Sequence, residues 1–124
     1  MTFSFKDIQG NEIYKIQERK ARIRDTMKIQ TANGDDIAIV KKALVSPIRD
    51  RFDISIPNGT DLDAKGNILQ HEYKVKRDGE VIAEISKKWV RVRDTYTVDV
   101  TPGEDVLLLL AITTALDTLA DPGM

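Results

Sequence analysis

The chain has no cysteine, one histidine and one tryptophan among its 124 residues. Without cysteine it can form no disulfide, no thiolate zinc site, no cysteine nucleophile and no palmitoylated thiol. This composition fits the reducing interior of a cell. Charge of one sign is also lacking, since 19 basic and 20 acidic residues leave a net charge of −1. The overall charge therefore gives no reason to expect nucleic acid as a partner.

Long hydrophobic runs are absent as well. The longest, "VLLLLAITTAL", has 11 residues and contains two threonines, whereas a membrane-spanning helix needs roughly 20. The N-terminal "MTFSFKDIQG" has neither the basic start nor the apolar segment of a signal peptide. We expect one domain spanning residues 1–124, with no transmembrane segment and a cytoplasmic location.

Catalytic signatures are missing too. The sequence contains no HExxH, no GxSxG and no glycine-rich phosphate loop. His71 stands beside Glu72 without a nucleophile or second ligand nearby, which favours a surface strand over acid–base chemistry. Asp61 and Asp63 resemble the start of a calcium loop, but the remaining EF-hand ligands do not follow. We therefore expect no enzyme activity, no cofactor and no metal.

What the chain does contain is one phrase written three times, as "IRDTMKI" at 23–29, "IRDRFDI" at 48–54 and "VRDTYTV" at 92–98. Each phrase closes a longer unit that opens at a turn-forming glycine, namely Gly10, Gly34 or Gly79. The unit predicts a turn, a strand, a second turn at the Arg-Asp pair and a second strand. A half unit precedes the first copy, and one further strand is predicted from Ile68 to Lys76.

The second strand of each unit alternates between apolar and polar residues, which is typical of half-buried antiparallel strands. The residues predicted to share the inner face are Met27 and Ile29, then Phe52, Ile54 and Ile56, then Tyr96, Val98 and Val100.

The C-terminal "TPGEDVLLLLAITTALDTLADPGM" predicts a helix. Thr101 and Glu104 match a capping box, and Pro102 suits the first helical position. Because the helix is apolar on all sides, we expect it to be buried on all sides, inside a barrel of strands. Asp117 then needs a partner, and Lys42 or Lys87 at the barrel mouth could supply it.

The segments "RDGEVIA", "ISKKW", "DTYTVDV" and "GEDVLLLLAITTALD" resemble the LURP-one-related proteins, most specifically over residues 78–117. Their domain is similar to the tubby C-terminal domain and to phospholipid scramblases. The resemblance implies an antiparallel β-barrel of about a dozen strands around a hydrophobic C-terminal helix, here lacking the family's first strand. Scramblases add acylated cysteines and a longer C-terminal segment, so the resemblance does not extend to lipid scrambling.

Basic residues are the candidate binding groups. If the units are equivalent, their basic hairpin tips gather at one end of the barrel, and such an end could hold an anionic phospholipid head group, as the resemblance to tubby-like domains implies. The protein would then be peripheral at the membrane. The alternative is a solvated face whose lysines protect strand edges from aggregation. The candidates are Lys41, Lys42, Lys87, Lys88, Arg91 and Arg93.

A rival function is a self-associating structural or protein-interaction domain. By the repeat, the strand that should pair with residues 2–7 is missing, which leaves a free edge beside Phe3 and Phe5. Another strand, a second chain or residues upstream of Met1 could close this gap. We expect two chains to associate across the edge, as a homodimer.

Overall fold

A meander of antiparallel strands followed by one helix forms the part of the chain that the structure describes. The structure is a computed structural model and describes residues 2–6, 8–20, 25–44, 49–67, 72–86 and 97–120. The elements are β1 (Thr2–Lys6), β2 (Glu12–Lys20), β3 (Asp25–Thr31), β4 (Asp36–Leu44), β5 (Arg49–Ser55), β6 (Leu62–Asn67), β7 (Glu72–Arg77), β8 (Glu80–Ser86), β9 (Thr97–Val100) and α1 (Val106–Ala120).

Each strand pairs with its neighbours along the chain, in the order β1 to β9. The glycines that open the three units, Gly10, Gly34 and Gly79, all have positive φ angles. This is the backbone conformation that tight turns require and that glycine adopts without steric cost. The predicted hairpin turns of the repeat are therefore confirmed.

The alternation of the second strands is also confirmed. Met27 and Ile29 on β3 are fully buried, as are Phe52 and Ile54 on β5. Burying one such side chain stabilises the fold by about 1.5–3 kcal/mol. The inner faces of the strands form one core with the helix, to which the intervening strands contribute Ala38, Val40, Ala64, Tyr73, Val75, Ala83 and Ile85.

The strand predicted from Ile68 to Lys76 is confirmed from Glu72 onward as β7, and residues 68–71 lie outside the described residues. Strand β6, which ends before residue 68, was not predicted, and this is the first of two corrections. The second correction concerns the Arg-Asp pairs, which were predicted as turns. Arg49 and Asp50 instead begin β5, whereas Arg24 and the pair at residues 93–94 lie outside the described residues.

The start of the helix also differs from the prediction. Residues 101–104 form a turn in which the Glu104 amide donates to the Thr101 carbonyl at 3.2 Å. Pro102 and Gly103 occupy its two central positions, and Gly103 has a φ of 92°. This pattern suits a type II turn, with proline first and glycine second. The predicted capping box therefore does not form, and Pro102 lies outside the helix.

Asp105 caps the helix instead. Its Oδ1 accepts a hydrogen bond from the Leu108 amide at 3.1 Å, and its carbonyl accepts one from Leu109 at 3.1 Å. A side-chain oxygen that binds an amide in the first turn satisfies a donor that has no partner within the helix. The helix thus begins at Val106.

Glu104 instead forms a bidentate contact with Arg77 at the end of β7. Arg77 donates hydrogen bonds of 2.8 Å from Nη1 and Nη2 to the two carboxylate oxygens of Glu104. The contact ties the turn before α1 to the sheet. The hydrogen-bonded guanidinium holds the pKa of Glu104 below its ordinary value of 4.5.

We expect this pair to make stability depend on pH. Because the pKa of Glu104 is lower in the folded state, its contribution is complete above pH 4.5 and is lost as the pH falls through the lowered pKa. The free energy of unfolding of Glu104→Gln should therefore differ most from wild type at neutral pH and converge with it in acid. Urea titrations of both proteins across this range measure the difference. A difference in the free energy of unfolding between the two proteins that became larger in acid would contradict the expectation.

The helix is not buried on all sides, which corrects the prediction. Ala111, Ile112, Ala115 and Leu116 are fully buried or nearly so, and α1 packs on β2, β3, β4 and β9. The opposite face forms a contiguous stripe at helical spacing. We call it the uncovered stripe; its first two side chains are 50 and 44% exposed and the rest half-buried, and it comprises Val106, Leu107, Leu110, Thr114, Asp117 and Thr118.

The sheet is mainly antiparallel and open in the described part of the chain. There, β1 pairs only with β2 and β9 only with β8, so the two strands are its edges. Both ends of the sheet nevertheless reach the same helix, since β2 and β9 both contact α1. The sheet thus curls around α1, and the expected mainly β fold with a C-terminal helix is confirmed. Among the described residues the sheet does not close into a barrel.

Candidate anion-binding surface

Two of the six predicted binding residues lie in the described structure. Lys41 and Lys42 are on β4, both half-buried. The other four, Lys87, Lys88, Arg91 and Arg93, lie outside the described residues, as does His71. Their places relative to one another stay a prediction.

Lys41 and Lys42 face opposite sides of the sheet, because neighbouring residues of a strand alternate. Lys42 shares the inner face with Ala38 and Val40, as predicted, and its Nζ lies 3.4 Å from the Leu119 carbonyl oxygen near the end of α1. An ammonium group there is attracted to the negative end of the helix dipole. Lys42 therefore supports the helix, and the two lysines do not form one ligand site.

Asp117 lies on the same last turns of the helix. It is half-buried and is not left without a partner. Full burial with no partner would have contradicted the prediction, and the structure does not show it. The free-energy penalty of an isolated buried carboxylate is thus avoided.

Lys41 faces outward within a row of mixed charge. It stands directly opposite Asp53 on β5, Asp53 stands opposite Asp63 on β6, and Asp63 stands opposite Lys76 on β7. The two Lys–Asp pairs of this row stabilise the sheet and the Asp53–Asp63 pair destabilises it, each by a small amount. This row is balanced and does not by itself favour an anion.

The next row on the outer face is different. Arg51 on β5 stands opposite Lys65 on β6, which stands opposite Lys74 on β7. All three side chains are exposed. Side chains paired in this way have Cβ atoms about 4.5–5.5 Å apart, and like charges at that distance destabilise the sheet. We call these three residues the basic row.

Few carboxylates neutralise the basic row. Arg51 Nε lies 3.4 Å from Asp53 Oδ1, with both side chains nearly half exposed. Within the described segments, neither Lys65 nor Lys74 has a carboxylate within ion-pair distance. In the same row Lys74 stands opposite Glu84 of β8. The row therefore places three like charges side by side on β5, β6 and β7, with Glu84 at its β8 end.

A shallow cavity of about 360 Å³ adjoins the row between β5, β6 and the β7–β8 turn. Arg51, Asp53, Asp61 and Asp63 are among its lining residues. Asp61 has a structural use there, since its Oδ1 accepts the Ile56 amide at 2.8 Å. In the described part of the chain, no three His, Asp or Glu residues are grouped so as to hold a metal ion.

The basic row lies close to one end of the sheet. Lys65 is two residues before the end of β6, and Lys74 is two residues after the start of β7. In an antiparallel meander, β4, β6 and β8 all end on this side. Ser86, the last residue of β8, immediately precedes the predicted basic residues at 87–93.

Sequence reasoning missed the basic row. Lys65 and Lys74 alternate with buried Ala64 and Tyr73, and this signal was available. Recognising the row required the register of β5, β6 and β7, and β6 had been read as turns.

Within the described residues, no helix reaches the length and hydropathy that crossing a bilayer requires.

Comparison with known proteins identifies the family of the chain. The family model described as LURP-one-related matches residues 1–117. The uncharacterized protein YxjI of Bacillus subtilis (strain 168) is similar, with 24% identity over 141 residues, covering 93% of this chain and 86% of the relative. No solved structure matches significantly. A family match over nearly the whole meander and most of the helix means that the chain belongs to the LURP-one-related family.

Proposed function

We propose that this domain is a non-enzymatic module that binds anionic phospholipid head groups at a membrane surface. The observation that carries the proposal is the basic row, in which Arg51, Lys65 and Lys74 stand side by side with little neutralisation. A strongly anionic ligand would relieve their mutual repulsion. The likeness of the family to tubby-like domains agrees with this ligand class.

The geometry suits a surface contact. The three cations project from adjacent strands, so their spacing is fixed by the sheet before any ligand arrives. Near an anionic leaflet each lysine or arginine contributes about 1 kcal/mol of attraction, which gives roughly 3 kcal/mol for the basic row. Attraction of this strength is reversible and screened by salt. The protein would be cytoplasmic and peripheral at the membrane.

The test is co-sedimentation of the full chain with liposomes. Wild type should bind vesicles containing phosphatidylserine or phosphoinositides and not neutral phosphatidylcholine vesicles. Lys65→Glu/Lys74→Glu should weaken binding about 30-fold or more, because losing two attractions of about 1 kcal/mol already amounts to that factor. Lys87→Glu/Lys88→Glu tests the residues predicted from the sequence in the same assay.

The matched control is Lys15→Glu, compared with Lys65→Glu and Lys74→Glu as single variants, because it makes the same charge change on β2, away from the basic row. Circular dichroism establishes that each variant is folded. Equal losses in the control and in the single basic-row variants would reduce the effect to net charge. Absence of any lipid binding by wild type would rule the proposal out.

The second proposed function is self-association, or another protein interaction, through the N-terminal edge. Two observations favour it: β1 has a free edge in the described sheet, and α1 has an uncovered stripe. A second chain that added strands there would continue the sheet around the helix and complete a barrel-like enclosure. A lipid-inert protein with a defined oligomeric mass would support this function over the first.

A further inference from the structure

The strand edge and the helix stripe are neighbours on the inner side of the sheet. Phe5 of β1 packs on Tyr14 of β2, with ring centroids 6.0 Å apart. Strand β2, which carries Tyr14, contacts α1. Burial and then the negative charge of Asp105 raise the pKa of Tyr14, in agreement with a start of α1 near this pair. Val106 and Leu107, the two most exposed residues of the uncovered stripe, follow Asp105 directly.

An extended strand meets both requirements of this surface. Its backbone groups can pair with the edge N–H and C=O groups of β1, which no other strand of the described sheet contacts. Its inner side chains can cover the apolar start of the stripe. The edge of β1 is also suited to pairing with itself, since an antiparallel pair of identical strands is symmetric about a two-fold axis.

Charge complementarity selects a register for such a pair. On the outer face the Ser4 hydroxyl donates to Glu12 Oε1 at 3.0 Å, and Lys6 is exposed. If the two-fold axis passes through Phe5, Lys6 of each chain stands opposite Ser4 of the other. Each ammonium then lies beside the Glu12 carboxylate of the other chain, once on each side of the axis. A two-fold axis at Ser4 would put Lys6 opposite Thr2, without this attraction.

We propose that two copies of this chain dimerise through antiparallel β1–β1 pairing centred on Phe5, with Lys6 of each copy facing Glu12 of the other and the paired strands covering the exposed start of α1. This inference rests on the second proposed function and names its partner and register. It does not depend on lipid binding.

Light scattering after size exclusion tests the pairing with the full chain. Wild type should have twice the 14.0 kDa chain mass at micromolar concentrations. Lys6→Glu alone should run as a monomer, because two carboxylates meet on each side of the axis. Glu12→Lys alone should do so because two ammonium groups meet there.

Light scattering of a mixture of the two variants is the decisive measurement. One chain then carries only carboxylates at these positions and the other only ammonium groups, so the mixture should recover the dimer mass. Within each variant chain, positions 6 and 12 stand opposite each other on β1 and β2 and keep like charges. Recovery of the dimer mass therefore reports contact between chains. Failure of the mixture to dimerise, with both variants folded, would overturn the register.

A second variant tests the helix stripe independently. Leu107→Glu should yield a folded monomer. The variant should fold because the side chain is 44% exposed and because a carboxylate near the start of a helix is attracted to the positive end of its dipole. It should not dimerise because the charge cannot enter a dry interface. The matched control is Val81→Glu on β8, far from β1 in the strand order, whose side chain is 37% exposed; this variant should stay dimeric. A wild-type monomer would end both this inference and self-association. A wild-type dimer insensitive to Lys6→Glu and Leu107→Glu would leave self-association standing and place it on another surface.

Discussion

Replacing Gly66 with alanine should destabilise the protein at or above the upper end of the range of about 1–3 kcal/mol that overpacking usually causes. Gly66 lies on β6 directly opposite Tyr73 of β7. A Cβ added at Gly66 would overlap the carbonyl oxygen of Glu72 and Cδ1 of the Tyr73 ring. The carbonyl belongs to the paired strand and cannot move away without disturbing the sheet.

Glycine at position 66 leaves room for the ring of Tyr73. The absence of a side chain at Gly66 lets the Tyr73 ring lie over the neighbouring strand, where it meets Phe52 edge-on at a centroid distance of 5.7 Å. An aromatic ring that covers a cross-strand glycine is a known device of sheet design. Adding a methyl group would push the ring out of this place as well as strain the backbone.

Chemical denaturation of wild type and Gly66→Ala measures the loss. Gly59→Ala is the control, because a Cβ there would meet mainly Cγ2 of Ile56, at 3.1 Å, and that methyl group can shift. The control should cost much less than Gly66→Ala. Equal midpoints for wild type and Gly66→Ala would contradict the proposed role of the glycine.

The second large effect is expected at Phe52. Its side chain is fully buried on β5 and stands opposite Ala64, a small residue that leaves room for the ring. Phe52→Ala should cost about 3–5 kcal/mol, from the lost burial and the cavity left behind. A domain of this size usually has a free energy of unfolding of about 5–15 kcal/mol, so the loss is a large share.

Thermal unfolding and urea titration both report this change. Phe52→Leu keeps most of the buried volume and should lose far less, which separates the cavity from the loss of the aromatic contact with Tyr73. Arg51→Ala, at the exposed neighbouring position, should be nearly neutral for stability. A loss for Phe52→Ala no greater than that for Arg51→Ala would contradict the burial of the ring.

The sequence predicted the parts of the fold that local periodicity controls. Met27 and Ile29 alternate with polar residues, and Gly34 opens the next hairpin, so one face and one turn followed directly from spacing. Strand β6 was missed because Asp61, Gly66 and Asn67 are turn-forming residues by type. Their tertiary setting overrides that tendency, since Leu62 and Ala64 reach the core between them.

The helix cap shows the same limit at shorter range. Local rules predicted a cap at Thr101, whereas the structure uses Asp105. The choice is decided by Glu104, whose carboxylate is held by Arg77, 27 residues earlier. A contact at that separation cannot be inferred from the residues around the helix.

The basic row lay beyond sequence reasoning for a related reason. Arg51, Lys65 and Lys74 become neighbours only through the registers of β5 with β6 and of β6 with β7. A shift of one residue in either register would turn a side chain to the other face. The residues predicted instead were those that the repeat made equivalent, and Lys42 among them faces inward, as strand parity predicts.

The basic row begins on β5, the middle strand of the nine, whereas β1 is an edge. Two chains paired along β1 would therefore leave the basic row of each chain uncovered. Because each sheet curls around its helix, the two basic rows would face away from the β1–β1 interface. Such a pair is divalent. On one densely charged membrane, two weak contacts held together act with avidity. Between two membranes, the same pair would act as a cross-link, and vesicles would clump at protein concentrations where a monomer only coats them.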